Sequence, residues 1–192
     1  MNKFKTAMCI IALGVVSSNT YADMPTDMGG DGTVTFTGKL TANTCQVDTE
    51  SKDKKVTLPT LSTQKLTTAG NYAGTTSFQL QVINCSPDVT EIGAHFEALG
   101  STGKDPATGN LINSDASDTG AKNVQVRLYD ADNTQLALGT ASKTVAITAA
   151  PAGAPEGTGG TATLNYAGGY YATGKTTAGD VKAQVVYSLV YK

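Results

Sequence analysis

Between Val181 and Tyr191 the chain alternates. Val181, Ala183, Val185, Tyr187, Leu189 and Tyr191 share one parity, while Lys182, Gln184 and Ser188 hold the other. Successive side chains of a strand point to opposite faces, so this pattern predicts a strand with one buried face. The sequence stops one residue later, at Lys192. A strand with so apolar a face needs a neighbour along its edge. That neighbour must come from earlier in the chain or from another molecule.

The start of the chain has the features of a secretory signal. Lys3 and Lys5 form a positive region, and Ala7 to Val16 is an apolar run too short to span a bilayer. Thr20-Tyr21-Ala22 is a small-x-small cleavage site, which places the mature start at Asp23. Removing residues 1–22 takes away two lysines and no acid, so the net charge of −2 falls to −4. A mildly acidic chain with one scattered arginine has no basic patch for nucleic acid. The length of the remainder suits one domain.

Cys9 leaves with the signal, and Cys45 and Cys85 remain. An even pair in an oxidising compartment reads as a disulfide, with two buried free thiols as the alternative.

Short strands punctuated by Gly and Asp are expected along the rest of the chain. They fall at 33–40, 56–59, 77–82, 92–99, 111–112, 123–129, 135–138, 143–147, 161–171 (ending in a Gly bend) and 181–191. No stretch beyond the signal has helical periodicity. Strands at intervals of about ten residues describe an all-β sandwich. Gly100 to Gly120, dense in Gly, Ser, Asp and Asn, reads as a surface excursion. Asp23 to Gly32 (DMPTDMGGDG) looks like a disordered leader, yet Met24, Thr26, Met28 and Gly30 share a parity and could form the modestly apolar face of a strand.

Catalytic chemistry finds few candidates. The single histidine, His95, sits inside an apolar strand, where a core or solvent-face imidazole is favoured over a catalytic base. One histidine and a bonded cysteine pair cannot build a zinc site of usual composition. Asp130, Asp132 and Asn133 read as a hairpin turn rather than a calcium loop, which would need a ligand-spaced Glu. Tyr166, Tyr170 and Tyr171 read either as a sugar-stacking patch or, more simply, as packing at a sandwich edge.

Four segments taken together resemble the structural subunits of chaperone–usher fimbriae, the type 1 and P pilus pilins. They are the Gly-rich leader into GTVTFTGKL (32–40) before Cys45; VTLPTL (56–61) with FQLQVINC (78–85) ending on Cys85; NVQVRLYDADNT (123–134); and AGDVKAQVVYSLVYK (178–192) with its penultimate tyrosine. The likeness covers nearly the whole chain after the signal.

The resemblance implies an immunoglobulin-like β-sandwich lacking its final strand, designated G, and completed by a donor strand from another molecule. Residues 1–22 would be the signal, 23–32 a donor-strand extension and 33–192 the pilin domain. Met24, Thr26, Met28 and Gly30 would form the donor face. Val181, Ala183, Val185, Tyr187, Leu189 and Tyr191 would border the acceptor groove, and the carboxylate of Lys192 would be gripped by a periplasmic chaperone. The implied partners are further copies of the chain, that chaperone and an outer-membrane usher. No metal, cofactor, nucleic acid or enzymatic activity is implied. The chain would be exported through the periplasm and assembled on the cell surface. One departure stands out: the leader is longer and richer in Asp and Met than the family pattern. The competing readings are a minor or adaptor subunit, and a secreted β-sandwich that binds carbohydrate or acts as an enzyme and folds alone. A leader folded back into its own groove is a further structural alternative.

Overall fold

The computed structural model describes residues 33–40, 44–100, 103–155 and 158–192. The expected signal and leader therefore lie outside the described residues. The chain divides into two units, 1–39 and 40–192. Of the first, residues 33–39 are exposed and form no strand, with Phe36 90% accessible. The strand expected over 33–40 is not formed. Alternation makes a strand only where a neighbour pairs with it, and no described strand does.

The second unit is built from short strands around two anchors of unusual length. Its elements are β1 (Gln46–Val47), the single-turn helix α1 (Thr49–Lys52), a 3-10 turn (Thr63–Lys65), β2 (Tyr72–Cys85), β3 (Glu91–Ala98), β4 (Leu111–Ile112), β5 (Val124–Tyr129), β6 (Gln135–Leu136), β7 (Val145–Ala146), β8 (Gly160–Ala172) and β9 (Val185–Tyr191). The Asp48 side chain accepts from Glu50 N–H at 3.0 Å and caps α1. One sheet runs β1-β2-β8-β5-β4, with β6 also on β5, and the other runs β7-β3-β9. Named pairings are all antiparallel.

The two sheets face each other across one apolar core, the architecture of an immunoglobulin-like sandwich. Phe78, Leu80 and Val82 stand opposite Tyr166, Leu164 and Ala162 in register, and on the second sheet Ile92, Ala94 and Phe96 stand opposite Tyr191, Leu189 and Tyr187. Phe96 bridges the layers, edge-on to Tyr166 at 4.9 Å. The buried Tyr166 phenol donates to Ser142 Oγ at 2.9 Å, since the serine hydroxyl itself donates to Lys143 C=O at 2.9 Å. Ser142 Oγ also accepts Ala94 N–H at 3.0 Å. Burial pushes the Tyr166 phenol up to about 12. The disulfide Cys45–Cys85 joins the residue before β1 to the end of β2.

Several expected strands move. β8 runs straight through Gly168 and Gly169 instead of bending there. Gly168 pairs with Thr76 on one side and Leu128 on the other, so flanking strands hold the backbone extended. The irregularity lies in β2 instead, between Ala73 and Thr76, where Gly74 takes φ +66°. A Cβ there would lie 2.8 Å from Leu61 Cδ1. Val56 to Pro59 forms no strand, because no described strand lies alongside to pair with it. Residues 103–110 are more than a surface excursion. Asn110 is 2% exposed and its amide donates to Gln125 Oε1 at 3.0 Å, so the segment is folded onto the outer face of β5.

Candidate functional site

β9 begins at Val185, not at Val181 as the alternation predicts. Its partner β3 ends at Ala98, opposite Val185, so residues 181–184 have no described strand beside them. They are held instead by the loop after β4: Lys182 N–H donates to Asn113 Oδ1 at 2.9 Å, and Lys182 C=O accepts Ser114 N–H at 2.7 Å. The Lys182 ammonium stands 2.9 Å from Asp115 Oδ2. The Ser117 hydroxyl, and after it Lys182, hold the Asp115 carboxyl well below the usual carboxylate range.

Among the described residues, β9 pairs with β3 alone, so its other edge is unpaired. A groove of about 1460 Å³ runs beside that edge. Val181, Ala183, Val185 and Tyr187 form one wall, and the segment from Asp53 to Leu58, which joins no described strand, forms another. Leu80, Phe96, Val126, Leu128 and Gly168 contribute to the floor. A smaller depression of about 490 Å³ shares the Lys54–Thr57 wall and lies over Asn165 and Asp130.

Burial marks the groove as unfinished core. On β3 the inward side chains Ile92, Ala94 and Phe96 are 0%, 0% and 1% exposed. Their register partners on β9, namely Tyr191, Leu189 and Tyr187, are all only half-buried, as are Val181, Ala183 and Val185. Both sets belong to the same apolar layer. The difference is that β3 has strands on both sides and β9 has one on a single side.

The sequence-predicted acceptor residues thus divide into two groups. Val181, Ala183, Val185 and Tyr187 line the groove together. Leu189 and Tyr191 lie beyond its lining and pack on the core, and the Tyr191 hydroxyl accepts Cys45 N–H at 3.4 Å. The Lys192 carbonyl oxygen accepts from Thr90 Oγ1 at 3.2 Å, and its ammonium lies 3.4 Å from Glu91 Oε2. The donor residues Met24, Thr26, Met28 and Gly30 lie outside the described residues.

Sequence reasoning missed the second wall and most of the floor. Gly168, taken for a bend, lies on the inward face of β8 at the groove floor. The three tyrosines do not form one patch. Tyr166 is in the core, Tyr170 lines the groove, and Tyr171 lies on the outer face under the Arg127 guanidinium at 3.8 Å. Adjacent strand residues face opposite ways, so Tyr170 and Tyr171 cannot share a surface. His95 sits half-buried on the solvent face of β3, 3.4 Å from Glu97. The Asp130–Asn133 segment is the turn between β5 and β6, with Asn133 at φ +62° and Asn133 N–H donating to Asp130 C=O at 2.9 Å.

The architecture is that of a fimbrial pilin: a two-sheet immunoglobulin-like sandwich whose last strand leaves one edge open. A family model described as "Type-1 fimbrial protein, A" matches residues 58–192, and the chain belongs to that family of fimbrial subunits. It is 38% identical over 190 residues to the F17 fimbrial protein of Escherichia coli, covering 94% of this chain and 96% of that one. It is 42% identical over 162 residues to the major fimbrial subunit SMF-1 of Stenotrophomonas maltophilia, covering 84% and 92%. A subunit in the solved structure of a chaperone–usher pilus shares the fold with a TM-score of 0.58 at 16% identity, covering 88% of this chain and 100% of that one.

Proposed function

We propose that this fimbrial subunit is built into its fibre by a strand that a second copy lends to the groove beside β9. The donor is the leader, residues 23–32, with Met24, Thr26, Met28 and Gly30 turned into the groove. The acceptor is the wall of Val181, Ala183, Val185 and Tyr187 with the opposing segment Asp53 to Leu58. The observation that carries this reading is the half-buried inward face of β9 beside the fully buried inward face of β3.

A donated strand supplies the main-chain hydrogen bonds that the free edge lacks, and its alternate side chains complete the core. Each apolar side chain taken from half-exposure to full burial adds up to roughly 1–2 kcal/mol. The same surface left open is an aggregation hazard. A periplasmic chaperone is therefore expected to cover it before assembly, gripping the carboxylate of Lys192, and an outer-membrane usher to exchange the chaperone strand for the leader. The contact joins two different patches of identical chains and does not close on itself, so it propagates as a filament. The role is structural, without enzymatic activity.

Deletion of residues 23–32 tests the reading. Fibre formation is expected to cease while export continues, as judged by electron microscopy and by subunit content of the periplasm. Undiminished fibres would rule out the leader as donor.

A further inference from the structure

The leader's second parity is not apolar. Asp23, Asp27 and Asp31 fall opposite to Met24, Thr26, Met28 and Gly30, spaced four residues apart. In a strand seated in the groove these carboxylates point to the groove mouth, opposite the floor that the apolar set touches, which is where the rim lies.

The groove carries the complementary charge. Its charged lining is Lys52, Asp53, Lys54, Lys55 and Lys182, four cations and one anion in a chain with 14 basic and 16 acidic side chains. Lys182 is engaged by Asp115. Lys52, Lys54 and Lys55 are exposed, and no described carboxylate lies within ion-pairing distance of them. A cationic rim along one wall of an apolar groove matches an acidic stripe along one face of a strand.

We propose that Lys52, Lys54 and Lys55 select and register the donor by pairing with the leader aspartates of the second copy. The proposal rests on the acceptor reading above and adds the polar half of the recognition. The apolar face alone is a weak ruler, because a slip of two residues keeps Met24, Thr26 and Met28 on the same side. The same slip carries every carboxylate about 7 Å along the groove relative to these lysines. Exposed ion pairs add little to the tightness of a joint. They act on the rate of correct encounter and on the choice between leaders of different charge.

Competitive assembly tests this. Two differently tagged full-length copies are co-expressed in cells that assemble the fibre, and each tag is counted in purified fibres. The variants are K54E/K55E, D27K/D31K, and all four changes in one chain; Asp23 is kept because it borders the expected cleavage site. Each reversal alone is expected to lower incorporation about tenfold, and the combined variant to return to within about twofold of the original when assembled with itself. Single reversals that incorporate normally, or a combined variant that stays as poor as either alone, would overturn the charge proposal. M24D/M28D separates the two layers. Loss of its incorporation upholds the acceptor reading whatever the charge variants do, and normal incorporation sinks that reading itself.

Discussion

The Tyr187 phenol donates a hydrogen bond to the Ser51 carbonyl at 2.8 Å, tying the groove-lining part of β9 to the helix α1. Ser51 is itself buried, and its hydroxyl accepts Gln81 N–H at 2.9 Å, so the contact links β9 through α1 to the middle of β2. Tyr187→Phe keeps the ring against Phe96, 6.0 Å away between centroids, and leaves the Ser51 carbonyl unpaired. Denaturant unfolding of the donor-complemented subunit is expected to register a loss of about 1–2 kcal/mol.

Gly168 sits on the groove floor, where an added Cβ would meet Leu128 Cδ2 at 3.8 Å and Val126 Cγ1 at 3.9 Å. These are ordinary contacts, so a side chain here fits the sheet and fills the groove instead. Gly168→Leu is expected to fold and to form the disulfide, yet to weaken the joint by roughly 1–3 kcal/mol, a loss of about five- to 150-fold. Counting the variant against the original in mixed fibres measures this.

The Cys45–Cys85 bond closes a 40-residue separation that includes α1, the Asp53–Leu58 wall of the groove and all of β2. Replacing both cysteines with alanine is expected to cost about 4 kcal/mol in the chain-entropy picture. Urea midpoints of the donor-complemented subunit, with and without the bond, check the value.

The Tyr166 phenol, raised to about 12 from an ordinary 10.0, gives a definite alkaline dependence. The folded state holds this proton more tightly than the unfolded chain. Its contribution is complete below pH 10, declines as pH rises, and is lost through about 12. Tyr166→Phe is expected to flatten that part of the stability curve, as seen in unfolding midpoints measured at rising pH.

Much of the frame was legible because the alternation is strong where strands are half-buried. Phe78, Leu80 and Val82 in β2, and Val124, Val126 and Leu128 in β5, face the core as their parity predicts. The apolar wall from Val181 to Tyr187 was readable for the same reason. Other features depend on tertiary neighbours that a local pattern does not contain. Val181 to Gln184 alternate like a strand but have no described strand to pair with, since β3 has already ended. Gly168-Gly169 resembles a bend, but two flanking strands hold it straight. Gln125 reads as an outward polar residue, yet Asn110 and Thr108 cover it with amide and hydroxyl hydrogen bonds. The second groove wall, Asp53 to Leu58, carries too little pattern to announce itself.

The most direct test places a photo-crosslinking amino acid at Gln184, an exposed residue on the groove lining. Fibres are assembled from a mixture of isotopically light and heavy full-length copies, irradiated, digested and analysed by mass spectrometry. The expected product joins the Gln184 peptide of one copy to residues 23–32 of another, with mixed-isotope pairs. Crosslinks confined to a single copy, or leading to any other segment of a neighbour, would contradict a groove completed by a second copy's leader.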